Sequence, residues 1–138
     1  MVDRRPMGGS KRVFLMSKDN ILLEKSFDFS VHIVEAFRQL SASGCDMTLA
    51  RQLLRSGTSI GANAQEANYA VSRSDFIAKL HISLKEAAET AYWLRLLHRT
   101  GYLSAQQAKP LLAECENLIF LLTSILKKSK SSSSSPET

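Results

Sequence analysis

The sequence has few of the residues that most disulfide-linked and zinc-binding proteins are built from. Only two cysteines occur in 138 residues, Cys45 and Cys115, and they lie far apart without a CxxC or a Cys/His cluster. A disulfide framework or a metal site is therefore not expected. Reduced thiols in a cytoplasmic protein are the favoured interpretation.

Long apolar runs are also absent. The best stretch, "NLIFLLTSILKK", is interrupted by Thr123 and Ser124, and it is far shorter than the roughly 20 residues that a bilayer span requires. The basic N-terminus "MVDRRPMGGSKR" is not followed by an apolar segment with a small-residue cleavage site. Neither a membrane partner nor a secretory signal is therefore expected.

The excess positive charge is confined to the two ends of the chain. Within residues 20–126, ten Lys and Arg residues are matched by ten Asp and Glu residues, although the whole chain carries a formal charge of +5. The end "KKSKSSSSSPET" is serine-rich and cannot bury apolar area. We therefore expect a flexible basic leader at 1–19, a helical body at 20–129 and a disordered tail at 130–138.

The body has helical spacing of apolar residues almost throughout and no strand-like alternation. Four helices are predicted, at about 20–42, 46–71, 72–100 and from 104 onward, and short loops make an antiparallel up-down-up-down four-helix bundle. Ser72 with Asp75 and Ser104 with Gln107 resemble capping boxes, and Gly44 and Gly101 end helices. The predicted core stripe of the first helix is Phe27, Val31, Val34, Phe37 and Leu40.

The apolar inventory exceeds one stripe per helix. The third helix carries Tyr92 and Trp93 besides its core stripe, and the fourth carries Phe120. A narrow bundle cannot bury all of these residues, and exposed apolar patches usually mark an interface. A homo-oligomer is therefore expected, with Tyr92 and Trp93 at its interface.

The stretch "RSGTSIGANAQEA" contains two glycines four residues apart, Gly57 and Gly61. A phosphate-binding loop would need a lysine and a preceding strand, and a membrane dimer motif conflicts with Arg51, Arg55 and Glu66 on the same helix. Close helix packing remains, with Gly57, Gly61 and Ala64 thinning one face. Glycine costs up to about 1 kcal/mol relative to alanine within a helix, so two of them imply a steric reason.

No arrangement typical of an active site is found. No glutamate is followed three residues later by a histidine, as di-iron bundles require, and the histidines lie on different turns without a carboxylate constellation. Glu86 and Glu89 are expected to form an ion-paired surface. We expect no catalytic residues, no metal, no cofactor and no small-molecule substrate, and hence a protein that is not an enzyme.

A basic strip is the one candidate binding site. Five cations near the corner between the second and third helices could contact nucleic acid; they are Arg51, Arg55, Arg73, Lys79 and Lys85. An ordinary charged surface is the alternative that the spacing favours.

Three segments together resemble a known family: "KSFDFSVHIVEAFRQL", "LARQLLRSGTSIGANAQEA" and "SRSDFIAKLHISLKEAAETAYWLRLL". In this order and spacing they look like the four-helix bundle proteins related to those encoded in 23S rRNA intervening sequences. The similarity covers about residues 20–126. Ala64 departs from a pattern that often has isoleucine there.

The resemblance implies a ring-shaped homo-oligomer, typically a pentamer, without known catalytic residues. A distant relative is the accessory protein of diversity-generating retroelements, which binds nucleic acid and a reverse transcriptase. The resemblance therefore implies a non-enzymatic, oligomeric RNA- or DNA-binding or accessory protein, whose partners include RNA, DNA or a reverse transcriptase-like enzyme. The alternative is a protein-interaction scaffold with no nucleic-acid role.

Overall fold

Four helices make up the described part of the chain. The computed structural model describes the backbone of residues 17–134 and the side chains of residues 19–129. The helices are α1 (Ser17–Ala42), α2 (Met47–Ala67), α3 (Arg73–Arg99) and α4 (Ala105–Ser134), and this range contains no strand. α4 extends into the serine-rich segment that was assigned to the tail, whereas most of the predicted leader lies outside the described residues.

The helices follow one another around the bundle in chain order. α1 packs on α2, α2 on α3, α3 on α4, and α4 returns to α1, while the backbones of the diagonal pairs α1–α3 and α2–α4 stay more than 8 Å apart, Cα to Cα, within the described range. Gln107 at the start of α4 donates to Gln39 near the end of α1 at 3.0 Å. This neighbour order and direction confirm an all-α, antiparallel four-helix arrangement. None of the helices described is long and apolar enough to cross a bilayer.

The predicted starts of α3 and α4 and the predicted ends of α1 and α3 are confirmed, whereas α2 ends at Ala67, about four residues before its predicted end. The Ser72 hydroxyl accepts from the Asp75 amide at 3.1 Å. Ser104 and Gln107 form the reciprocal pair of a capping box, with the Gln107 amide donating to the Ser104 hydroxyl at 3.1 Å and the Ser104 amide to Gln107 Oε1 at 2.8 Å. Gly44 and Gly101 adopt φ values of +83° and +88°, which favour glycine at a helix C-terminus.

The predicted core stripe of α1 is wrong over its first half and right at its end, where Phe37 packs against the core and Leu40 is buried. Phe27 and Val31 are 69% and 41% exposed, whereas Phe29 and Ile33 are completely buried. The buried stripe includes the polar Ser26 and the small Ala36, so in the sequence it looked less apolar than the stripe that begins with Phe27 and Val31. The members of the buried stripe are Leu22, Ser26, Phe29, Ile33, Ala36 and Leu40.

α1 and α2 approach each other closely along the glycines of α2. A Cβ atom added to Gly57 would lie 2.8 Å from Ile33 Cγ1, and one added to Gly61 would lie 3.2 Å from the backbone oxygen of Ser26. Ala64 continues this line and is buried. A side chain at Gly61 would therefore press on the backbone of α1, and one at Gly57 would displace the buried Ile33 side chain.

Candidate functional site

Two of the five predicted nucleic-acid-binding cations are paired with glutamates of the same chain. Arg55 donates to Glu86 at 3.1 Å and also to Glu89, which lies one turn later on α3. Lys79 donates to Glu66 on α2 at 2.9 Å. These pairs bridge α2 and α3 along their shared groove, so Arg55 and Lys79 serve contacts within the bundle.

Hydrogen bonds in this groove favour the charged forms of its members. A hydrogen bond to Glu89 raises the pKa of Arg55, and one to Glu66 raises the pKa of Lys79. The pKa of Glu89 is lowered, first by the hydrogen bond from the Trp93 indole and then by that from Arg55. Both cations and Glu89 are therefore charged at neutral pH.

The three other predicted cations are exposed but do not form one compact patch. Arg51, Arg73 and Lys85 make no ion pair within residues 19–129. Arg55 is level with Glu86, and Arg51 lies one turn beyond it. Arg73 opens α3, roughly 20 Å along the axis from Glu86 at 1.5 Å per residue. The cations are thus distributed along the bundle.

The two predicted interface residues, Tyr92 and Trp93, differ in their exposure and in their contacts. Trp93 is half-buried and donates its indole N–H to Glu89 at 2.9 Å, which attaches it to the α2–α3 ion pairs. The Tyr92 ring is 51% exposed and meets Trp93 edge-on, with ring centroids 5.0 Å apart. Tyr92 is therefore the more exposed of the two, and Trp93 belongs to the contacts within the bundle.

A second polar cluster, in the groove between α1 and α4, was not predicted. His32 Nδ1 lies 2.9 Å from both carboxylate oxygens of Glu114, 82 residues away in sequence. The open groove around them has a volume of about 200 Å³ and also contacts Lys25, Asp28 and Asn117. Only the register between two antiparallel helices brings this pair together, so sequence spacing gave no signal for it.

The His32–Glu114 pair predicts a mild pH dependence of stability. The hydrogen bond to Glu114 raises the pKa of His32, with smaller contributions from the charges of Glu35 and Asp28. Because the folded-state pKa is above the unfolded value of about 6.5, the stabilisation is complete below that value and is lost as pH rises through the folded pKa. Both side chains are over a third exposed, so less than about 1 kcal/mol is expected.

Proton NMR titration of the imidazole ring tests this prediction. We expect a His32 pKa above the ordinary value in the wild-type protein and a return toward that value in Glu114→Gln. An unchanged His32 pKa in that variant would contradict the pairing.

The two thiols are poor candidates for a reactive centre. Burial raises the pKa of Cys115 to about 12, and its thiol donates to the Ala87 carbonyl at 3.2 Å. Cys45 is also buried, and burial raises the pKa of its thiol. Both thiols are therefore protonated at neutral pH, in contrast to the thiolate that nucleophilic chemistry requires. In the part of the chain described, no three His, Cys, Asp or Glu residues are grouped to hold a metal ion.

These features define an antiparallel four-helix bundle whose polar clusters lie in grooves between neighbouring helices. A family model described as "23S rRNA-intervening sequence protein" matches residues 18–124. The chain belongs to this family, which confirms the resemblance inferred from the three sequence segments.

A solved structure is similar over most of the chain. It is the crystal structure of a protein of unknown function from the S23 ribosomal protein family of Bacteroides thetaiotaomicron, with a TM-score of 0.78 and 47% sequence identity. The match covers 80% of this chain and 98% of that one. No curated protein matches the sequence.

Proposed function

We propose that the protein is a non-enzymatic accessory protein that assembles into a homo-oligomer and binds RNA or DNA. The observation that carries this proposal is the charge distribution. The helical body is balanced in charge, and the whole formal excess of +5 lies in residues 1–19 and 127–138. Such ends suit contacts to phosphates, which need positive charge but little shape.

The exposed cations of the bundle add to the charged ends. Arg51 and Arg73 are available for phosphate contacts because they form no ion pair within the described residues. Each subunit alone has few cations for binding phosphates. Assembly brings the cations of several subunits together on one particle, so that several weak contacts give a high overall affinity. A ring, typically pentameric, is the assembly that the family resemblance implies.

The affinity for structured RNA, measured at several salt concentrations, tests this proposal. Two variants are compared, Arg51→Gln and Arg55→Gln, whose positions lie one turn apart on α2. Because Arg51 is exposed and unpaired within the described range, Arg51→Gln is expected to weaken binding and to reduce the salt slope by about one, which is what a single phosphate-binding cation contributes. Arg55→Gln is expected to change the slope less, because Glu86 and Glu89 already hold that guanidinium. Far-UV circular dichroism checks that both variants fold.

Neutralising cations at the two basic ends of the chain is expected to weaken RNA binding more than the single change at Arg51. A variant that combines Arg4→Gln, Arg5→Gln, Lys127→Gln and Lys128→Gln is expected to lower RNA affinity at low salt more than Arg51→Gln does. If the wild-type oligomer retains no RNA or duplex DNA at 50 mM salt, the nucleic-acid role is wrong.

A protein-interaction scaffold is the second candidate, and exposed apolar side chains favour it. Phe120 on α4 is 66% exposed, and Tyr69 and Val71 at the turn between α2 and α3 are exposed still further. Such residues suit a partner helix or a nucleic-acid enzyme, such as a reverse transcriptase, better than phosphates. A protein that stays bound after nuclease treatment, together with loss of that protein in Phe120→Ser, would favour this function over the first.

A further inference from the structure

The outward side of α1 carries apolar residues with acidic neighbours. Phe27 and Val31 lie one turn apart and are exposed. Three exposed acids share this side of the helix by their spacing; they are Glu24, Asp28 and Glu35. None of these acids forms an ion pair within the described residues. Arg38, near the end of α1, is the opposing charge on this side, and the acids outnumber it.

The outward side of α3 has the opposite charge around an aromatic ring. Tyr92 is exposed at its centre, and three exposed cations share this side; they are Lys85, Arg95 and Arg99. The glutamates of α3 nearest to Tyr92, Glu86 and Glu89, are directed toward α2, where Arg55 binds both. The outward side of α3 is therefore basic and partly apolar.

The two surfaces cannot meet within one chain. α1 and α3 are diagonal in the bundle, with their backbones more than 8 Å apart within the described range, so their outward sides face away from each other. When an acidic surface and a basic surface lie on different sides of one molecule, identical copies can associate head to tail, the acidic side of one against the basic side of the next. Such heterologous contacts close into a ring when the rotation per subunit permits.

We infer that the α1 face (Glu24, Phe27, Asp28, Val31 and Glu35) binds the α3 face (Lys85, Tyr92, Arg95 and Arg99) of a second copy of the chain. This contact rests on the homo-oligomer in the proposed function and specifies which surfaces form it. Burial of the apolar residues supplies the free energy of association, and the opposite charges set orientation and register. Nucleic acid is a poor occupant of the α1 face, because acidic side chains repel phosphates.

Phe27→Ser and Tyr92→Ser each remove the exposed ring of one face, and Phe120→Ser is the matched control on α4. The full-length proteins, freed of nucleic acid by nuclease and high salt, are compared by size-exclusion chromatography with light scattering. Each face variant is expected to raise the concentration for half-assembly at least about tenfold, whereas Phe120→Ser assembles like the wild type.

Mixing the two face variants tests the head-to-tail geometry. Phe27→Ser keeps an intact α3 face and Tyr92→Ser keeps an intact α1 face, so one good contact forms between them. An equimolar mixture is therefore expected to give a heterodimer of two 15.3 kDa chains, although each variant alone is monomeric at that concentration. A contact that pairs the same surface of both copies would give no such recovery.

Charge exchange provides a second set of variants. Glu24→Lys with Glu35→Lys, and Lys85→Glu with Arg99→Glu, are each expected to weaken assembly, and combining all four in one chain is expected to restore it in part. A wild-type oligomer that none of these changes affects would overturn the inferred contact and leave the homo-oligomer standing. A wild-type chain that is monomeric at all concentrations would overturn both, and loss of RNA binding alone would overturn neither.

Discussion

Replacing Gly61 by leucine is expected to destabilise the bundle by about 3 kcal/mol or more, through overpacking between α1 and α2. A Cβ at this position already lies 3.2 Å from the Ser26 carbonyl oxygen, which is backbone and cannot rotate aside. The further three carbon atoms of leucine can be placed only if α1 moves away. The higher helix propensity of leucine returns less than about 1 kcal/mol of this cost. Since domains are stable by about 5–15 kcal/mol in total, the loss is large.

Ala62→Leu is the matched control, because residue 62 is adjacent on the same helix and exposed. Urea unfolding followed by circular dichroism should show a lowered midpoint for Gly61→Leu and a nearly unchanged one for Ala62→Leu. If Gly61→Leu remained folded and assembled but lost RNA binding, the glycines would belong to a ligand site, and the packing role would be wrong.

Phe29→Ala is expected to cost about 3–5 kcal/mol, as deletion of a large buried aromatic side chain does. The Phe29 ring is completely buried in the bundle core. Phe27→Ala, two residues earlier, removes a ring that is 69% exposed, and a change of less than about 0.5 kcal/mol is expected in the single chain. Comparing the free energies of unfolding of Phe29→Ala and Phe27→Ala therefore shows which side of α1 faces the core.

Both variants should be unfolded at two protein concentrations, because assembly also stabilises the folded chain. An effect of Phe27→Ala that grows with protein concentration belongs to the interface between copies. An effect as large as that of Phe29→Ala at every concentration would restore the stripe of Phe27, Val31 and Val34 to the core and contradict the fold of α1.

Helix number, order and most helix ends followed from local chemistry, although α2 ends at Ala67, before its predicted end near residue 71. Ser72, Ser104 and the positive-φ glycines act on their own neighbours in sequence, so three- and four-residue spacings were enough to place them. The phase of α1 was different, because two stripes with helical spacing run along it. The stripe that faces the core contains Ser26, because Gly61 of α2 packs against the Ser26 backbone. Which stripe is buried therefore depends on the neighbouring helix as well as on the sequence of α1.

For the charged groups too, the sequence of one helix indicates that a residue is ion-paired but does not identify its partner. Glu86 and Glu89 were expected to be ion-paired, and they are, but their partner is Arg55 on α2. Lys79 with Glu66 and His32 with Glu114 likewise join different helices. Such pairs are fixed by the register between antiparallel helices, which the spacing within one helix does not contain. The basic strip looked stronger in sequence than in the fold for this reason.

Sedimentation of the full-length protein with and without structured RNA tests the central claim most directly. We predict a species of several 15.3 kDa chains that takes up RNA at 50 mM salt and releases it at 300 mM, as counterion release requires. A chain that sediments as a monomer and takes up no RNA at either salt concentration would contradict an oligomeric nucleic-acid-binding function.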